Sequence, residues 1–402
     1  MVHIIFNNKI IGVLMLNNLS KYLELDKEKL ALIDDLINPK VVFYSKSNKS
    51  RIHYDESDYV LCEMDMPARL VELTKFCPKC QRRYPEEENA CYDCLVTLKH
   101  LSDKVPVHDI QSRPTFEFDG KTSYDDFQGI LTEENIAKIN EFNFKSADFK
   151  KIIRDIKRTS LENLDELIDK NYVDMDDLTT LERVLLFAKT FVNVDYKSYG
   201  QELGYFEFGT ITIDDRQSDS FQITTLIHEL AHFLLKEIIV GVLCELLDCK
   251  SNILVDVIVT YILSYSNFTR LIDEYSAHCC EGRFTVYGYQ DYSSFLHIIA
   301  QMAGEMSKEE IEITKSIGNT FANSIKDILE IYIDHELLAQ IKREFLIYHH
   351  EKPNYEMLKL ENCEKLTEEG FLKAIWLVVS EGFIVASENM DKLEEYLTEV
   401  KQ

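Results

Sequence analysis

The stretch Ile223-Thr-Thr-Leu-Ile-His228-Glu229-Leu-Ala-His232-Phe-Leu-Leu235 decides how the chain is organised. His228 and His232 are four residues apart, so on a helix they share one face, one turn apart. Two imidazoles so placed can chelate a single Zn²⁺. Glu229 projects beside them, where its carboxylate can take a proton from a water the metal polarises. The flanking residues are strongly apolar, and burying two histidines and a glutamate among them without partners would cost several kcal/mol.

Just upstream, residues 205–213 (Tyr-Phe-Glu-Phe-Gly-Thr-Ile-Thr-Ile) read as a strand, and Asp214-Asp215-Arg216-Gln217 as the turn after it. Asp219 with Gln222 can cap the helix, which extends at least through Leu235. A strand followed by this His-Glu-x-x-His helix resembles the zincin metallopeptidases. The resemblance implies that the metal is a catalytic zinc, that Glu229 is the general base, and that an edge strand, here 206–213, holds an extended peptide by main-chain pairing.

Within the zincins the chain is similar to the gluzincins, in which a second helix brings a glutamate to the metal. The segment Asp273-Glu274-Tyr275-Ser276-Ala277-His278 carries Glu and Ala at the family's positions, with His278 where an Asp or Asn is usual. The resemblance implies Glu274 as third ligand after His228 and His232. It gives His278 the role of orienting a ligand histidine. His278, Asp256 and Glu281 stay open as alternative ligands. Position 238 is Ile, which excludes the short metzincin spacing. Tyr275, Arg283, Tyr287 and Tyr289 are candidate donors to a transition-state oxyanion, and no motif selects among them.

Around this segment the pattern is helical from about 131 onward. Helices are expected over 147–158, 161–169 and 181–192, and from about 252, 268, 292, 308, 334 and 367. Thr179 with Glu182, and Ser307 with Glu310, read as capping boxes. Residues 1–70 are β-rich, with strands over 2–6, 10–16, 41–44 and 59–64 and one helix over 27–37. Residues 101–130 lack periodicity, carry Pro106, Pro114, Gly120 and Gly129, and read as a linker, although 115–118 fits a short strand.

Between them lie Cys77-Pro-Lys-Cys80 and Cys91-Tyr-Asp-Cys94. Two such knuckles present four thiolates to one tetrahedral zinc and leave no place for water, so the ion is structural. The segment resembles a zinc ribbon, with strands over 70–75 and 95–100. Zinc would fold a stretch too small for its own core. Lys75, Lys79, Arg82 and Arg83 make a basic face that Glu86, Glu87 and Glu88 largely cancel. A protein partner is therefore favoured over nucleic acid for the ribbon. Cys62, Cys244, Cys249, Cys279, Cys280 and Cys363 show no complete ligand set and read as small buried hydrophobes.

Composition agrees. The 402 residues include 44 Lys and Arg against 70 Asp and Glu, a net charge of −26. Such a chain repels phosphate backbones, so nucleic-acid binding is disfavoured. The most apolar internal stretch, 253–265, is too short to span a membrane and carries Asp256. No export signal is seen, so a cytoplasmic location is expected, and there ten cysteines do not make a disulfide framework.

The expectation is an α+β chain with four parts: a β-rich region (1–70), a zinc ribbon (71–100), a linker (101–130) and a mostly helical zincin-like domain with a small sheet (131–402). It would be a peptidase with one catalytic and one structural zinc, acting on a peptide or protein. The alternatives are a regulatory peptidase with one dedicated protein substrate, and a catalytically silent scaffold that keeps zinc for stability and binds protein.

Overall fold

Strand-forming residues dominate the first hundred positions and helix-forming residues the rest. The computed structural model follows that division, giving a mostly helical α+β chain with small sheets. It describes residues 2–6, 9–14, 41–44, 51–53, 59–62, 69–72, 74–112, 124–197, 203–207, 209–286, 293–301, 306–348 and 366–400. Two units result: Met1–Pro106 with Asp169–Asp174, and Val107–Ile168 with Met175–Gln402.

In the smaller unit β1 (Val2–Phe6) and β2 (Lys9–Leu14) pair antiparallel, as Asn7-Asn8 between them leads one to expect. β3 (Val41–Tyr44), β4 (Arg51–His53), β5 (Tyr59–Cys62) and β6 (Arg69–Glu72) form a sheet in the order β4-β3-β5-β6, with β3 and β5 parallel. The helix expected over 27–37 and the short strand over 115–118 lie outside the described residues.

The cysteine segment differs from the expected pair of long strands. β7 (Lys75–Phe76) and β8 (Arg83–Tyr84) flank the first knuckle, and β9 (Ala90–Cys91) and β10 (Val96–Thr97) hold the second. β11 (Lys99–His100) returns to pair with β7. Lys75, counted in the expected basic face, is instead internal: its Nζ donates to the carbonyls of Glu86 (2.6 Å) and Glu88 (3.2 Å). Arg82 is paired with Asp93.

In the larger unit, part of the expected linker is core. Val107, Ile110 and Phe127 are buried, and the buried Lys189 donates to the carbonyls of His108 (2.8 Å) and Ile110 (2.6 Å). α1 (Glu133–Asn140) follows. α2 (Ser146–Asn171) is one helix where two were expected, because Ile152, Ile153, Leu164 and Leu167 continue a single buried face. α3 (Thr180–Ala188) begins with the Thr179–Glu182 capping box. It stops short of 192, and the chain becomes β12 (Asn193–Lys197), a strand whose polar composition hides it.

The expected strand over 205–213 is a hairpin. β13 (Gly204–Glu207) and β14 (Thr210–Asp214) pair antiparallel, with Gly209 taking the positive φ of 77° that the reversal requires. The sheet order is β12-β14-β13, with β12 and β14 parallel, so β13 is an antiparallel edge. α4 (Asp219–Leu247) then runs unbroken past the expected end. Ser218, not Asp219, is its N-cap position, and Gln222 Nε2 donates backward to the Gln217 carbonyl (2.9 Å). α4 is apolar on nearly every side and lies at the centre of the unit, against α3, β13 and β14.

α5 (Ile253–Ser264), α6 (Asn267–Phe284), α7 (Ser293–Gln301), α8 (Lys308–Leu329, with its Ser307–Glu310 capping box), α9 (His335–Tyr348) and α10 (Glu368–Glu388) all start within one residue of expectation. α11 (Met390–Val400) closes the chain. α6 packs on both α4 and α8. By length and composition alone α10 is apolar enough to cross a membrane. It packs against α5 and α1, buries Phe371, Ile375, Val379 and Phe383, and donates from Trp376 Nε1 to the Ile139 carbonyl (2.8 Å).

Candidate metal centre

The i, i+4 spacing on α4 puts His228 and His232 on the face turned to α6. Each ring is fixed by a carboxylate from that helix. Asp273 Oδ1 lies 2.9 Å from His232 Nδ1, and Glu281 Oε2 lies 3.2 Å from His228 Nδ1. A neutral imidazole that donates from Nδ1 has a bare Nε2. The two Nε2 atoms face one another at 3.3 Å. This is a contact of hydrogen-bond length whose donor depends on the tautomer; when both rings are neutral and protonated at Nδ1, both Nε2 lone pairs are available to one cation. Glu274 Oε2 is 4.0 Å from His228 Nε2. One donor atom each from His228, His232 and Glu274 lie within 4.8 Å of one another, so the three can hold a metal ion.

His228, His278 and Glu281 form a second such group, which shares His228. Its donor atoms likewise lie within 4.8 Å of one another. His278, expected to orient a ligand histidine, is not the group on His228 Nδ1. Glu281, one turn further along α6, holds that place, while His278 Nε2 meets Ser294 Oγ at 2.6 Å. Ser294 in turn donates to Glu274 Oε2 at 2.9 Å.

The charges are strongly coupled. Burial opposes charge on His232, but Asp273, Glu274 and Glu229 outweigh it and lift the imidazole to about 10. His228 is raised as well, burial being overcome mainly by Glu281. Glu274 and Glu281 are held below the usual carboxylate range, because the surrounding histidines outweigh burial. Glu229 goes the other way: it is buried, and desolvation lifts its carboxyl above the ordinary value despite the two histidines. Histidines and carboxylates with shifted proton affinities are thus gathered in one cleft.

The cleft holds about 770 Å³, and among its walls are Leu203, Gly204, Phe206, Phe221, Glu229 and Phe345. β13 therefore borders the site, and among the described residues it pairs only with β14. The approach is close: a Cβ on Gly204 would lie 2.4 Å from Thr225 Cγ2 and 3.5 Å from Glu229 Oε1. An adjoining recess of about 340 Å³ lies on the His232 side, lined in part by Lys236, Asp256, Arg270 and Tyr396. Asp256, an alternative ligand by sequence, is paired there with the buried Lys236 at 2.9 Å. Of the candidate oxyanion donors, Tyr275 is fully buried, and Arg283 is engaged by the Cys279 carbonyl, Asn319 and Asn323. Tyr287 and Tyr289 lie outside the described residues.

In the smaller unit, the sulfurs of Cys77, Cys80, Cys91 and Cys94 lie within 4.8 Å of one another and can hold a metal ion. The two knuckles repeat one design. Gln81 and Leu95 each take φ of 56°, and their N–H groups return to the Cys77 and Cys91 carbonyls at 2.8 Å. Burial opposes charge on Cys91, but the Tyr84 hydroxyl donating at 3.1 Å, with nearby main-chain donors, brings its thiol down to about 6. Of the other cysteines, Cys279 and Cys280 are buried, Cys244 is half-buried and Cys249 is exposed; the side chains of Cys62 and Cys363 lie outside the described residues.

Sequence reasoning passed over Asp273 as a solvated helix residue and gave Ser294 no role. The only signal for either was proximity in sequence to Glu274 or to the α7 start. The chain matches no known protein family, no curated protein and no solved structure.

Proposed function

We propose that the larger unit is a zinc-dependent peptidase of gluzincin type. His228, His232 and Glu274 would hold the metal, and Glu229 would act as general base. The observation that carries this is the pair of Nε2 atoms 3.3 Å apart, each on a ring whose Nδ1 faces a carboxylate. Ligand histidines are held in this way by outer partners. The free edge of β13 supports an extended peptide as the occupant, since an unpaired strand offers main-chain donors and acceptors.

A zinc ion held at these residues supplies Lewis acidity, activating a water and polarising the scissile carbonyl. Glu229 takes the proton from the attacking water and returns it to the leaving amine. Its raised proton affinity suits both transfers. β13 would align the peptide beside Glu229, with Phe206, Phe221 and Phe345 offering apolar contact to its side chains. The four cysteines would hold a second, structural zinc.

The test is elemental analysis of the purified chain after exhaustive dialysis, followed by cleavage of a peptide library. Two zinc equivalents are expected. Glu229→Gln should keep both and lose cleavage by about 10²-fold or more. Cleavage retained in Glu229→Gln removes it as base. One equivalent, confined to the cysteines, brings the scaffold reading forward.

A further inference from the structure

A serine at a helix start ordinarily spends its hydroxyl on the unpaired N–H groups of its own first turn. Ser294 is the second residue of α7, inside the helix, where its hydroxyl is free for a partner elsewhere. Its hydrogen leaves the helix and goes to Glu274 Oε2 on α6, 2.9 Å away. Having donated there, Ser294 Oγ must accept from its other neighbour, His278 Nε2, at 2.6 Å. The far side of the His278 ring faces Glu281, with Nδ1 3.9 Å from Oε2. That same oxygen takes His228 Nδ1 at 3.2 Å. Hydrogen bonds therefore run from His278 through Ser294 to Glu274, and separately from the His228 ring to Glu281. Glu281 Oε2 lies beside the His278 ring at 3.9 Å and Glu274 Oε2 approaches His228 Nε2 to 4.0 Å, both beyond hydrogen-bond reach.

We propose that Ser294 is the positioning residue of the metal centre, fixing the rotation of the Glu274 carboxylate through its hydroxyl, which His278 in turn holds. The proposal rests on the reading that His228, His232 and Glu274 bind zinc. A carboxylate has about four lone-pair sites, so the bond from Ser294 leaves Glu274 free to bind metal while removing its freedom to turn. This arrangement also accounts for histidine at position 278. An Asp there would set a second carboxylate beside Glu274 and Glu281, whereas histidine donates to Ser294.

The experiment is competition for zinc against a chromophoric chelator, read on the weaker of the two equivalents. Wild type, Ser294→Ala, Ser294→Thr, His278→Ala and the Ser294→Ala/His278→Ala double variant are compared. Ser294→Ala is expected to weaken that equivalent about 10–100-fold, the usual effect of losing an outer partner. Ser294→Thr, which keeps the hydroxyl, should bind like wild type. The double variant should lose no more than the stronger single one, because both act through one chain of contacts. A purely structural role would move the melting temperature and leave these affinities alone. Unchanged affinity in Ser294→Ala with two equivalents in the wild type overturns this proposal alone. A wild type lacking the second equivalent overturns the metal reading and this proposal with it. Should Ser294→Ala fail to fold, the affinity of His278→Ala decides, and wild-type affinity there overturns it.

Discussion

Asp273 Oδ1 stands 2.9 Å from Nδ1 of His232, and Asp273 is the residue immediately before Glu274. Under the proposed metal reading, consecutive positions of α6 would supply a ligand, Glu274, and an anchor for a ligand on α4, His232. Asp273→Ala should lower zinc affinity about 10–100-fold. Asp273→Asn, which keeps an acceptor oxygen, should lose much less. Retained zinc is measured by elemental analysis after dialysis against graded chelator, and equal retention in wild type and Asp273→Ala would refute the anchor.

Gly204 is where β13 approaches α4 most closely. A methyl group there meets Thr225 Cγ2 at 2.4 Å and the Thr212 carbonyl at 3.1 Å. Thr225 can turn away, but the backbone oxygen cannot, so Gly204→Ala should push the strand outward. Overpacking of this kind costs about 1–3 kcal/mol. Displacing the strand that aligns the substrate should reduce cleavage by up to about 10²-fold. Denaturant melts and peptide turnover check both, and an alanine variant of full activity would show that the strand does not align substrate.

Glu237 on α4 has one buried oxygen with no hydrogen-bond partner. Burial raises its carboxyl to about 7, with Lys236 opposing and Asp256 adding to the effect. The folded value lies above the unfolded one, so the sign is that of a destabilising charge. Below about 4.5 both states are protonated and nothing is lost. Between there and about 7 the unfolded chain ionises first, and above 7 the folded state carries the full cost. Glu237→Gln should therefore stabilise the larger unit by about 1–3 kcal/mol at pH 8 and by little at pH 5. Urea melts at the two values decide it, and equal gains at both would contradict the burial argument.

The buried cluster around the four cysteines is small: Cys77, Tyr84, Cys91 and Leu98. Gln81 and Leu95 add backbone conformations that non-glycine residues adopt at a cost of about 1 kcal/mol each. Metal binding has to offset this. Cys77→Ser/Cys91→Ser should lose one zinc equivalent and open residues 74–106 to proteases, with helix content unchanged by circular dichroism. A variant that resists cleavage there would mean the hairpins stand without metal.

What could be read from sequence was what local spacing determines. Helix starts, the Thr179 and Ser307 capping boxes, the His228–His232 pair and the two cysteine knuckles each depend on residues a few positions apart. β12 was missed because Asn193–Lys197 is polar and becomes a strand only by pairing with β14. The hairpin at Gly209 was missed because β-forming residues continue on both sides of it. Asp273 and Ser294 were illegible in a stricter sense, and Glu281 was named only as an alternative ligand. Their roles depend on how α6 and α7 cross α4, and no pattern within one helix encodes that crossing. His278 does stand against the His228 ring, with centroids 4.5 Å apart, while Glu281 one turn later takes His228 Nδ1.

α4 is buried on nearly every side for 29 residues, and the metal-binding histidines lie in its first half. No part of it can open to solvent without parting from α6, the sheet and α3 together. Its amide hydrogens should thus exchange only when the whole larger unit unfolds, while those of the shorter peripheral helices exchange through smaller openings. His228 and His232 then ride on the slowest-opening element of the chain. Any opening of the cleft around them falls to its other walls, which include Ser294 and His297 of α7 and Gly204–Phe206 of β13.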